Sequence, residues 1–161
     1  MKLIIDDNIV VFLDKVYLQN LDLTNQNLIE KKLVKLINKL QNKYTIDLNG
    51  YYNVYIHKDI NYGLIIDMQK EELEYIDYFN NQLELNIEII EDSFLYKIED
   101  IFTINKNLLN KFIIYKNGYT FYLKPKANLS SIELGMILEN AEILYGKEAK
   151  KIEQKSQIIK V

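Results

Sequence analysis

Every positive side chain of this 161-residue chain is one of twenty lysines or the single His57; arginine, cysteine and tryptophan are absent. That inventory removes the guanidinium fork that grips a phosphate or carboxylate at two points. It removes the thiolate nucleophile and every cysteine metal site, and one histidine cannot make a His-pair site. His57 stands two residues before Asp59, the spacing of a general base and its orienting carboxylate on one strand face, but no nucleophile accompanies them. Glu91-Asp92 and Glu99-Asp100 offer oxygen ligands for Ca²⁺ or Mg²⁺ without the loop spacing of a dedicated site. No glycine-rich phosphate loop, G-x-S-x-G or H-E-x-x-H occurs. The reading is no catalytic residue, no metal and no cofactor; an enzyme here would rest on carboxylates, lysine or tyrosine.

Two sets of residues suit anion binding. Lys31, Lys35, Lys39 and Lys43 repeat every fourth residue, with Lys32 beside them and Glu30 opposing. Like charges at that spacing cost about 0.2–0.5 kcal/mol per pair, little enough for a solvated face to tolerate. The second set lies in KFIIYKNGYTFYLK, residues 111–124. A hairpin turning at Asn117-Gly118 pairs Lys116 with Tyr119 and puts Tyr115, Tyr122, Lys111 and Lys124 on one face. Aromatics among lysines can stack bases, so non-specific nucleic-acid or polyanion binding is the alternative function. The net charge of −3 and the missing arginines weigh against it.

A third set suits protein contact. Ser130 and Glu133 have capping-box spacing, with Leu129 and Leu134 placed as a staple, and a helix is expected from there to about Tyr145, closed by Gly146. Leu134, Ile137, Leu138, Ala141, Leu144 and Tyr145 share its core face. Ile132, Met136 and Ile143 fall roughly 160–200° away, a second apolar stripe that invites a partner.

These residues need elements to hold them. Lys2 to Asp14 reads as two strands, 15–24 as irregular, and Asn25 as the cap of a helix reaching Lys43, with Ile29, Leu33, Leu36, Ile37, Leu40 and Tyr44 on its buried face. Strands follow at 51–58 and 62–69, and a short helix is suggested within 70–82. Leu83 to Ile89 alternates apolar with Glu84, Asn86 and Glu88. Residues 94–104 read as extended, 147–155 as a charged stretch leading on, and 157–161 as a last strand. The fold class is α+β, a mainly antiparallel sheet built from hairpins with two long helices packed on it. One domain spans 1–161, and its halves, 1–82 and 83–161, are loosely alike.

Charge is segregated: residues 67–100 carry a net −9, residues 101–161 a net +5. Such a dipolar surface can orient a partner or a second copy of the chain. No apolar run approaches the roughly twenty residues of a membrane span, and Asp6-Asp7 interrupts the opening, so no membrane partner and a cytoplasmic location are expected. The excess of Ile, Lys, Asn and Tyr over Arg matches AT-rich codons.

The runs FLYKIEDIF, KFIIYKNGYTFYLKP, LSSIELGMILENAEI and SQIIKV give a strand, a hairpin, a capped helix and a last strand. That order resembles the C-terminal domain of MecA-type adaptors, bacterial proteins that deliver substrates to a Clp-family ATPase. The resemblance covers about 70 residues, holds no diagnostic motif and transfers no functional residue; the first half lacks the acidic, aromatic-rich opening of that family. It implies an adaptor-like protein. The expected function is therefore protein–protein interaction, with another protein or with itself as a homo-oligomer.

Overall fold

Asn25 starts the first long helix as its spacing requires: its side chain accepts a hydrogen bond from the Leu28 N–H at 3.3 Å. The computed structural model describes residues 2–5, 8–19, 22–59, 62–72 and 82–160, and the chain falls into two units, Met1–Glu91 and Asp92–Val161. The boundary lies after the strand that opens the expected second half, not before it.

The first unit holds strands β1 (Lys2–Ile5), β2 (Ile9–Asp14), β3 (Gly50–Asp59), β4 (Gly63–Lys70) and β5 (Leu83–Glu91), with helices α1 (Lys15–Gln19) and α2 (Gln26–Tyr44). The strand order is β1-β2-β4-β3-β5. Every neighbouring pair is antiparallel except β3–β5, which is parallel. β5 thus joins the sheet beyond β3 from β4; the short helix suggested within 70–82 lies largely outside the described residues. Residues 15–19, expected to be irregular, are α1, whose first turn is fixed by the Val16 N–H donating to Asp14 Oδ1 at 3.0 Å.

Alternation puts Ile9, Val11 and Leu13 of β2, Tyr52, Val54 and Ile56 of β3, and Leu64, Ile66 and Met68 of β4 on one face. Against it α2 buries Ile29, Leu33, Ile37 and Leu40. Four such side chains contribute roughly 1.5–3 kcal/mol each, far above the mutual repulsion of the lysines on the outer face. Tyr44, expected on the buried face, is exposed because the helix ends there. Thr45 closes it in the left-handed region at φ 54°.

The second unit contains β6 (Leu95–Ile98), a 3₁₀ turn at Ile101–Thr103, α3 (Lys106–Leu109), β7 (Phe112–Asn117), β8 (Thr120–Pro125), α4 (Ser131–Asn140), β9 (Ala141–Leu144), α5 (Gly146–Lys155) and β10 (Gln157–Ile159). Its sheet, ordered β10-β7-β8-β6-β9, is antiparallel throughout. The fold class is thus α+β with a mainly antiparallel architecture, and three rather than two helices are long.

Three local expectations are corrected. The late helix stops at Asn140 because Ala141–Leu144 extend and pair with Leu95–Ile98 of β6. The charged stretch after Gly146 is α5; Lys, Glu, Ala and Gln are strong helix formers, and Ala149 and Ile152 supply its apolar seam. The hairpin turns at Gly118-Tyr119, so Asn117 meets Thr120 and Lys116 meets Phe121. Gly118 takes φ 61° at the first central position, as a type II′ turn demands. The shift of two in register leaves every side chain on its expected face.

Candidate functional site

The second unit builds its candidate surface from a locked helix start. Ser130 Oγ accepts from the Glu133 N–H at 3.2 Å, and Glu133 Oε2 accepts from the Ser130 N–H at 2.9 Å. Leu129 and Leu134 are both buried on either side of this capping box. The other oxygen of the same carboxylate, Oε1, lies 2.6 Å from Lys111 Nζ. Lys111 and the two Ser130 donors together hold the Glu133 carboxyl down to about 2.

From that anchor α4 runs with Leu134 and Ile137 buried, while Ile132 is 73% and Met136 54% exposed. They stand one turn apart. Gly135 between them leaves open space around the position a Cβ would take, and Glu139 beyond is exposed. Two members of the expected stripe are therefore brought together at the surface. The third is not: Ile143 belongs to β9, opposite Tyr96 of β6, and is half-buried. Helical spacing put it on the outer flank; strand pairing turned it to the sheet face it shares with Tyr96 and Leu123.

The hairpin half of the anion-binding reading is overturned. Tyr115 and Tyr122 are buried, packed with Leu95, Leu144 and Ala149. Lys124 Nζ is ion-paired with Glu153 of α5, and the Tyr115 hydroxyl lies 3.4 Å from the same carboxylate oxygen. Burial first, and Glu153 second, push the Tyr115 phenol up. Lys111 is engaged by Glu133. A face covered by a helix cannot stack bases, and the sequence concealed this because α5 looked like a charged stretch leading on. Its signal was the run from Lys147 to Lys155, in which every residue but Ile152 is a strong helix former.

The lysines of α2 are all exposed. Four-residue spacing advances by about 40° per step at 100° per residue, so the row winds across the helix. Lys31 and Lys43 end about 120° apart, and Lys32 falls between Lys39 and Lys43 in angle.

His57 is buried on β3, facing away from α2, in register with Ile65 of β4 and Ile90 of β5. Asp59 is buried on that same face, as expected of a partner two residues on, and so is Asp67, which sequence reasoning did not single out; Asp67 stands opposite Tyr55. Two of the paired acids hold backbone N–H groups, and Glu91 pairs with Lys58 of β3 at 2.8 Å. Asp92 Oδ1 accepts from the Ser93 N–H at 2.8 Å, and its other oxygen from the Gly146 N–H at the start of α5. Asp100 caps the 3₁₀ turn through the Phe102 N–H at 2.9 Å. Among the described residues no three His, Asp or Glu side chains are grouped as a metal site. No described helix is long and apolar enough to cross a membrane.

Comparison with protein-family models, with curated proteins and with solved structures found no match to this chain.

Proposed function

We propose that this chain is a non-enzymatic protein–protein interaction module, adaptor-like and cytoplasmic, whose contact surface is the outer flank of α4. The observation that carries the reading is the pair Ile132 and Met136. Both are long apolar side chains, more than half exposed, on a helix whose opposite face is already buried. An amphipathic partner helix or groove reads anchors at this one-turn spacing. Methionine adapts to more than one surface, and the capping box with its Lys111 tie presets the helix. The adaptor character follows the MecA-type resemblance of the second half. That strand, hairpin, capped helix and last strand are present here as β6, β7–β8, α4 and β10, with β9 and α5 interposed.

The test is a double substitution, Ile132→Lys with Met136→Lys. Surface changes of this kind stay within about 0.5 kcal/mol, so thermal unfolding should match the parent within a few degrees. Proteins retained from native lysate by the parent, or its own concentration-dependent self-association, should be lost. A steep fall in melting temperature would place the pair in a core. An unchanged set of retained proteins together with unchanged self-association would remove α4 as the surface.

A further inference from the structure

Beyond the α4 surface, the first unit contains a cavity of about 450 Å³ beside α2. We propose that it binds a free single-chain aliphatic carboxylate, tail in the cavity and head group on a lysine rim. Leu33, Leu36 and Leu40 form its wall on α2, Leu64 and Ile66 its floor on β4, and Tyr17 of α1 stands at the margin. The floor is already sealed from water, whereas Tyr17 is half exposed and Leu36 partly so.

The charged lining residues are Lys32, Lys39 and Lys43; no carboxylate lines the cavity among the described residues. The winding of the row brings Lys39 and Lys43 to one side of α2, next to Leu36 in angle, where Lys32 falls between them. Lys31 and Lys35 point elsewhere and do not line it.

Three features select the ligand. The size lies within the roughly 300–1,000 Å³ of small-molecule sites, which are mostly apolar with a few polar groups. The walls are aliphatic, so they reward an alkyl chain and give a base, a sugar or a peptide backbone no hydrogen bonds. The rim is positive and made of lysine, a point charge on a flexible apolar stem. Each stem extends the wall while its ammonium stays in water at the mouth. Lys43 Nζ stands over the Tyr44 ring, 5.4 Å from the centroid, and an anion at the mouth would compete for it. A neutral lipid would leave the rim unused, and a nucleic-acid backbone would leave the cavity unused.

The experiment titrates the full chain with 11-(dansylamino)undecanoate. No tryptophan is present, so tyrosine-to-dansyl transfer reports occupancy. Saturable one-to-one binding is expected, displaced by dodecanoate and far less by dodecyltrimethylammonium. Lengthening the competitor from octanoate to dodecanoate should improve displacement about three- to fourfold per methylene. Lys39→Glu with Lys43→Glu, both exposed and so compatible with the fold, should weaken dodecanoate about tenfold and leave dodecanol unchanged. Absence of saturable binding overturns the proposal. So does equal displacement by the cationic amphiphile, or by a short DNA duplex. Sedimentation with anionic phosphatidylglycerol vesicles without uptake of monomeric probe overturns it as well, since the surface would then be reading a membrane.

Discussion

Glu133 shows how one carboxylate can be fully engaged on an exposed helix: one oxygen serves Lys111, the other the Ser130 N–H and hydroxyl. Its folded pKa of about 2 lies below the ordinary 4.5. The stability it contributes is therefore complete above about pH 4.5 and drains away as pH falls toward 2. Urea unfolding at pH 6 and pH 3 should show the parent losing more stability between the two than Glu133→Gln; equal losses would mean the carboxylate is not tied in solution. Gly63 is a second residue with no substitute. At φ +142° its missing Cβ would stand 2.1 Å from the Leu13 carbonyl oxygen. Gly63→Ala should cost about 3 kcal/mol or more, seen as a large drop in the urea midpoint; a change within experimental scatter would show that β2 and β4 can part there. The Ser130–Glu133 box was legible in the sequence because capping is local. The assignment of Lys111 to Glu133, twenty-two residues away, was not, because only the folded chain brings them together.

At the scale of elements, helix α2, strands β1 to β5 and the β7–β8 hairpin follow from periodicity and turn chemistry. The run from Ala141 to Lys155 does not. Ala141, Leu144 and Tyr145 continue the helical spacing of α4 and AEIL has no strict alternation, yet the unpaired edge of β6 draws Ala141–Leu144 into the sheet. The same competition explains α5. With only Ala149 and Ile152 to bury, its apolar face is narrow, and it is held by the tyrosine face of a sheet that must exist first. Ile152→Asp should therefore cost about 1–3 kcal/mol and speed hydrogen exchange across α5 and β7. If Tyr115 and Tyr122 stay as protected as in the parent, α5 is not their cover.

At the scale of the whole molecule, charge divides with the two units. Met1–Glu91 has fifteen acids against nine lysines, and Asp92–Val161 eight against eleven, giving −6 and +3. Opposite fields of this kind act on association rate and orientation, and salt screens them over about 8–10 Å. Self-association measured by sedimentation velocity should weaken between 50 and 500 mM NaCl. An association indifferent to salt would assign it to the apolar pair on α4 alone.

The sequence by itself determined the fold class, the starts of α2 and α4 and the faces of the hairpin. Each depends on residue type or on spacing within a few positions, where covalent geometry sets what is near what. Tertiary structure alone decided that β5 runs parallel to β3, that Ile143 leaves the outer stripe while Ile132 and Met136 remain, and that the hairpin tyrosines lie under α5. It also decided that three lysines, not the four-residue row, meet the cavity beside α2. Those outcomes turn on burial between segments far apart in the chain, and burial is a property of the assembled sheet and helix, not of any one segment.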